Sequence, residues 1–135
     1  MRREVCFLID GEGRLLWSDA SSCPLSLPDS RARWEAIWRH RAQLAEISHS
    51  HPTGPLAFSH EDETTMEALI AALGARPRFS VVAPEGLLVR DRDGQEARPA
   101  KEPWWTGLLR LASGMTGDSG AVSLPELPPG PRCRS

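Results

Sequence analysis

The order of short apolar runs along the chain constrains its fold more than any other feature of the sequence. Five such runs cover residues 4–10, 14–17, 44–48, 79–83 and 87–90. Short runs of this composition, bounded by turn-forming residues, are typical of β-strands. Gly11-Glu12-Gly13 separates the first two runs and Pro84-Glu85-Gly86 separates the last two, which predicts a tight turn between the strands of each pair.

Segments with helical periodicity lie between and after these runs. Trp34, Ile37 and Trp38 are spaced i, i+3 and i+4. Four apolar residues share one face of the next segment, which ends at Gly74, a natural helix cap: Met66, Leu69, Ile70 and Leu73. Residues 104–111 are apolar enough to pack as a last helix. This order predicts an α/β domain with a single mixed β-sheet flanked by helices.

Two stretches differ in composition from the rest. Residues 18–30 are rich in Ser, Asp and Pro and are predicted to form a loop. From Ser113 onwards Gly, Ser and Pro dominate, and such a segment cannot bury enough apolar surface to offset its ordering entropy. We therefore predict one domain over residues 1–112, large enough for one core, and a disordered tail over residues 113–135.

Charge, hydropathy and cysteine usage argue against several classes of function. The net charge of −2 offers no basic field for nucleic acid. No run approaches the ~20 apolar residues of a membrane span, and the first apolar run is too short for a secretion signal. Cys6, Cys23 and Cys133 are odd in number and lack CxxC spacing, which indicates reduced thiols. We expect a cytoplasmic protein without nucleic-acid or membrane partners; its oligomeric state stays open.

One segment, ISHSHPTGPLAFSHED at residues 47–62, combines residue types that bind metals. His49 and His51 lie two residues apart at the end of a predicted strand, and so on one side of it. Asp62 follows in the first turn of the helix that Ser59 opens. A catalytic zinc site uses three nitrogen, oxygen or sulfur ligands and leaves a fourth position to water. The two histidines and Asp62 could form that set for one Zn²⁺ per chain, and Ser59 could donate to an oxyanion.

A metal-free interpretation explains part of the same segment. Ser59-x-x-Asp62 is close to a helix capping box, and an acid in the first turn also suits the helix dipole. His-x-His at a strand end is, taken alone, more often a surface or core feature than a ligand pair. Capping does not account for the histidines, so their conjunction with Ser59 and Asp62 favours the metal site. The HExxH, deaminase, nucleotide-loop and GxSxG signatures are absent from the sequence.

The segment HSHP at 49–52, followed by six residues and Ser59-x-x-Asp62, resembles the signature of the JAMM zinc metalloproteases, also called MPN+ or JAB-domain proteins. The resemblance implies a fold of the JAMM/MPN type, a cytidine-deaminase-like sandwich. It also implies zinc on the two histidines and Asp62, with Ser59 assisting the oxyanion. Family members cleave isopeptide or peptide bonds at the C-terminal tails of ubiquitin or ubiquitin-like proteins. The implied partner is thus a ubiquitin-like or sulfur-carrier-like protein substrate.

The same resemblance implies a catalytic glutamate at the start of the first core strand. EVCFLI at residues 4–9 is similar to the family's context, which makes Glu4 the expected general acid and base. Glu35 and Glu46 are the rival candidates. Glu35 is expected to be solvated, and the strand parity of Glu46 should turn it away from the histidines. Phe7 stands where the family often has Gly, and could crowd the strand.

These features predict an enzyme, a zinc metallopeptidase acting on the tail of a ubiquitin-like protein. Three alternatives stay open. The fold could serve as a catalytically silent protein-binding scaffold, although an intact ligand set argues against that. It could hydrolyse a non-protein amide with the same metal chemistry. It could also be a metal-free domain in which Ser59 and Asp62 only cap a helix.

Overall fold

A computed structural model describes residues 2–20 and 31–115 of the chain. The strands found there are β1 (Val5–Asp10), β2 (Leu15–Ala20), β3 (Leu44–Ser50), β4 (Arg78–Ala83), β5 (Gly86–Arg90) and β6 (Glu96–Ala97). The helices found there are α1 (Arg31–His40), α2 (His60–Leu73) and α3 (Trp105–Ser113). The predicted α/β class, a mixed sheet with flanking helices, is confirmed.

The six strands form one sheet in the order β2-β1-β3-β4-β5-β6. β3 and β4 are parallel, because α2 carries the chain back between them, and the other neighbouring pairs are antiparallel. β3 therefore lies near the centre of the sheet. Its residue His49 is paired with Cys6 of β1 on one side and with Val81 of β4 on the other.

Helices cover both faces of the sheet, so the domain has three layers. On one face, buried strand side chains pack against α1 and α2: Cys6, Leu8, Ile47 and Phe79 with Ala36, Ile37, Met66 and Leu69. On the other face, buried strand side chains pack against α3: Val5, Phe7, Ile9, Val82 and Leu87 with Trp105 and Leu109. Alternation along each strand thus divides its apolar residues between two cores.

The ends of α2 follow directly from its sequence. Ser59 is the N-cap and forms a full capping box with Asp62. At the other end Gly74 adopts φ of 70° and donates its backbone N–H to Ile70 O, as a left-handed C-cap does. Within the helix Met66 and Leu69 are buried, whereas Ile70 and Leu73 are only partly buried. The predicted helix and its apolar face are confirmed.

Two local predictions were wrong, and one strand was not predicted. Residues 18–20 are not loop, because β2 continues to Ala20 and pairs along β1. The rest of the predicted loop, residues 21–30, lies outside the described part of the chain. β2 is an edge strand with one exposed side, so its polar residues do not prevent pairing. β6 is too short to leave a pattern in the sequence.

Trp38 was expected on a buried helix face but is 53% exposed, with the guanidinium of Arg41 lying 4.0 Å above its ring.

The described structure continues a few residues past residue 112, the predicted domain boundary. α3 includes Ser113, and Met115 is buried. Gly114, with φ of 81°, caps the helix by donating its N–H to Arg110 O and Leu111 O. The rest of the predicted tail, residues 116–135, lies outside the described residues, as do Cys23 and Cys133.

Cys6 is a free, buried thiol, as predicted, and burial raises its pKa to about 11. None of the helices in the described ranges is long and apolar enough to cross a membrane.

Candidate metal centre

The end of β3 brings the two histidines to one side of the sheet. His49 is held within the strand ladder. His51 follows the strand and donates its backbone N–H to Val82 O over 2.8 Å, which keeps the chain extended there. The Nε2 atoms of the two rings are consequently 3.1 Å apart.

A carbonyl contact fixes the ring of His51. Its Nδ1 lies 2.9 Å from Pro55 O. Because a carbonyl oxygen can only accept, Nδ1 must carry a proton, and the neutral ring then has its lone pair on Nε2. That lone pair faces His49 Nε2 and the Asp62 carboxylate, whose nearer oxygen is 3.2 Å away. Such an orienting carbonyl is a common partner of metal-binding histidines.

Asp62 reaches the histidines from the first turn of α2. Its Oδ1 is 3.1 Å from His49 Nε2, and its Oδ2 is 3.2 Å from His51 Nε2. Oδ2 also accepts the Ser59 backbone N–H over 2.8 Å, while Ser59 Oγ accepts the Asp62 N–H over 3.0 Å. The capping box of the metal-free alternative is therefore present. It also aims the carboxylate at the two rings.

The pKa values of Asp62 and His51 are shifted by burial and by the hydrogen bonds within this cluster. Burial alone would raise the pKa of Asp62, but hydrogen bonds from His49 and His51 hold it well below its usual range. Burial opposes charge on His51 as well, but in the protonated ring Nε2 can donate to Asp62 and Nδ1 to Pro55, and these hydrogen bonds raise the pKa of His51 overall. Both shifts have the same origin, the close contact of the Asp62 carboxylate with the two imidazole rings.

The donor set fits a single metal ion. The candidate ligand atoms of His49, His51 and Asp62 all lie within 4.8 Å of one another. Zinc–nitrogen and zinc–oxygen bonds of about 2.1 Å at tetrahedral angles place neighbouring ligand atoms about 3.4 Å apart. The nearest contacts within the cluster, 3.1 to 3.2 Å, are close to that spacing. These three residues could thus hold a metal ion, as predicted.

Glu4 shares the cleft with these residues. The cleft has a volume of about 580 Å³ and lies between the sheet, α1 and α2. Among the residues that line it are Glu4, Ser59 and the three candidate ligands. Glu4 is only 6% exposed, and desolvation raises its pKa to about 7, against a smaller lowering by His51. This places the proton affinity of Glu4 in the range that suits a general acid and base at neutral pH.

The rival glutamates lie elsewhere. Glu35 is exposed on α1 and pairs with Arg31 over 2.8 Å. Glu46 is buried but accepts a hydrogen bond from Ser80 Oγ over 2.6 Å, and neither glutamate lines the cleft. Phe7 packs in the core beneath α3, on the opposite face of the sheet from Cys6, so it does not crowd the candidate site.

Two residues near the site were not predicted from the sequence. Ser50, between the histidines, is fully buried, and its Oγ accepts the Val5 N–H over 2.9 Å. This bond joins the end of β3 to the residue that follows Glu4. Arg33 of α1 also lines the cleft and pairs with Asp19 over 3.3 Å. The position of Ser50 between the two histidines could have indicated that it lies at the site. No pattern in the sequence indicated Arg33, because its partner Asp19 comes from a different element.

Comparison with protein-family models and with curated proteins gives no match to this chain. The fold and the site together define an α/β domain with a His-His-Asp set that could hold a metal ion.

Proposed function

We propose that this protein is a zinc-dependent metallopeptidase of the JAMM type. The observation that carries the proposal is the convergence of His49, His51 and Asp62 in one cleft with the buried carboxyl of Glu4. A capped helix alone requires neither the histidines nor Glu4. The sequence resemblance and this geometry point to the same four residues.

In this proposal each residue has one task. His49, His51 and Asp62 hold the metal. A bound zinc ion supplies a Lewis acid and lowers the pKa of water to roughly 7, which provides a nucleophile at neutral pH. Glu4 accepts a proton from the attacking water and delivers it to the departing amine.

Ser59 stabilises the oxyanion in the same scheme. Its oxygen accepts the Asp62 N–H, which leaves the hydroxyl hydrogen available to donate into the cleft. Donors placed where negative charge develops contribute several kcal/mol to hydrolysis in known enzymes, on the order of 3 kcal/mol each.

The substrate class in this proposal comes from the resemblance. It is an isopeptide or peptide bond at the C-terminal tail of a ubiquitin-like or sulfur-carrier-like protein, cleaved in the cytoplasm. The cleft is open to solvent beside Ser59 and His60, both of which are exposed, so an extended chain can approach the ligands from that side.

The test is a cleavage assay on the zinc-loaded protein with a panel of ubiquitin-like proteins that carry a C-terminal fusion, alongside small amides. We expect cleavage after the ubiquitin-like tail by the wild type and none by Glu4→Gln that binds zinc normally. Cleavage at the wild-type rate by Glu4→Gln would refute the role of Glu4. Turnover of small amides alone would favour the non-protein hydrolase. Zinc binding without any turnover would favour the scaffold.

A further inference from the structure

Arg90 is the last residue of β5, and its side chain contacts Glu63 in the first turn of α2. Its side chain is 16% exposed. Nη1 donates to Glu63 Oε2 over 3.0 Å and Nη2 donates to Glu63 Oε1, so the pair is bidentate. Nε donates to Glu96 Oε2 over 3.1 Å. A guanidinium held by two carboxylates has a fixed plane and position.

The first of these contacts bears on Asp62. Glu63 follows Asp62 in the chain, and its backbone N–H donates to Ser59 O over 3.0 Å within the capping turn. The bidentate pair therefore anchors the turn that carries Asp62 to β5.

A second set of contacts joins Arg90 to His49. The guanidinium carbon lies 4.6 Å from the ring centre of Phe58, a cation–π contact. The same phenyl ring lies 6.4 Å from the His49 ring, tilted by 50°. Phe58 is thus placed between Arg90 and one of the histidines. Arg90 therefore contacts Glu63, which is next to Asp62 on α2, and also Phe58, whose ring lies beside His49 of β3.

The contacts of Arg90 do not use the lone pairs of the candidate ligands. The hydrogen bonds among His49, His51 and Asp62 compete with a metal ion for the same lone pairs. The Arg90–Glu63 pair has no such conflict, so it can hold the α2 turn in place both before and after an ion binds.

We propose that Arg90 is a positioning residue that pre-organises the metal-ligand set, holding Asp62 through Glu63 and His49 through Phe58. This inference rests on the proposed function, because it assigns Arg90 a role in binding the metal of that site. Loss of a partner that orients metal ligands typically weakens metal binding by about 10- to 100-fold.

The test compares the zinc affinities of full-length Arg90→Met and Arg110→Met, measured with Zn²⁺ in competition with a chromophoric chelator. Arg110 is a matched control, because it lies on α3, on the other face of the sheet, and forms a bidentate pair with Glu102. Circular dichroism of the metal-free variants reports whether each is folded. We expect Arg90→Met to bind zinc about 10- to 100-fold more weakly than the wild type and Arg110→Met to keep the wild-type affinity.

Wild-type affinity in Arg90→Met, or equal weakening in both variants, would overturn the inference. If Arg90→Met does not fold, Glu63→Gln with Glu102→Gln as its control gives the same comparison. Absence of zinc binding by the wild type would contradict the proposed function itself. That result is distinct from a wild type that binds zinc and an Arg90 variant that binds it equally well.

Discussion

The buried carboxyl of Glu4 makes the stability of the metal-free protein depend on pH, and Glu4→Gln should remove that dependence. Desolvation raises the pKa of Glu4 from 4.5 to about 7 in the folded chain. Between these two values the folded state therefore holds more protons at Glu4 than the unfolded state does. The resulting stability contribution is fully present below pH 4.5 and is lost as the pH rises through about 7.

The shift also sets the size of the effect. Each pKa unit corresponds to about 1.4 kcal/mol, so ionising Glu4 costs the folded state at most about 3.5 kcal/mol above neutral pH. Gln is neutral at every pH and resembles the protonated acid in shape. In the absence of metal, Glu4→Gln should thus gain up to about 3.5 kcal/mol of unfolding free energy relative to the wild type between acidic and mildly alkaline pH.

Urea denaturation of chelator-treated wild type and Glu4→Gln over this pH range measures the difference directly. The groups that the two proteins share titrate in both, so their contributions cancel in the comparison. We expect the two stability curves to diverge as the pH rises from 4.5 to 7. Parallel curves would contradict this prediction, because they would show that burial does not raise the pKa of Glu4.

Two further predictions concern the backbone. Ser50→Ala should destabilise the protein by about 1–3 kcal/mol in urea denaturation, because it leaves the buried Val5 N–H without its acceptor. A loss of stability well below that range would show that this N–H finds another partner. Gly74→Ala should cost about 1 kcal/mol, because φ is 70° at this helix cap, whereas Gly107→Ala inside α3 should gain about 0.5–1 kcal/mol. No atom lies within 4 Å of a Cβ added at either glycine, so equal effects in thermal denaturation would contradict the backbone argument.

Local signals predicted much of the fold. Met66, Leu69 and Gly74 predicted α2 from spacing and capping alone, and the apolar runs predicted five of the six strands. Predictions were wrong where a distant partner decides the outcome. Ser18–Ala20 resembles a loop in isolation, but this segment becomes part of β2 because β1 offers a ladder to pair with. Trp38 has the helical spacing of a core residue, yet among the described residues it lies on the exposed side of α1.

The residues of the candidate site divide in the same way, into those that local patterns predicted and those that distant contacts place. His49 and His51 were predicted because their spacing puts them on one side of a strand end, and Asp62 because it belongs to the same sequence motif. Glu4 needed the resemblance, because it lies 45 residues before His49 and meets the cleft only through the pairing of β1 with β3. Arg90 could not be found from the sequence, since its contact with Glu63 spans 27 residues and depends on the sheet order.

Elemental analysis of the purified protein tests whether His49 and His51 bind zinc. Wild type and the His49→Ala/His51→Ala double variant are purified without chelator and compared for zinc per chain. We expect one zinc per chain in the wild type and its loss in the double variant. A wild type that contains no zinc, even after reconstitution, would contradict the proposed metal site and leave a domain in which Ser59 and Asp62 cap a helix.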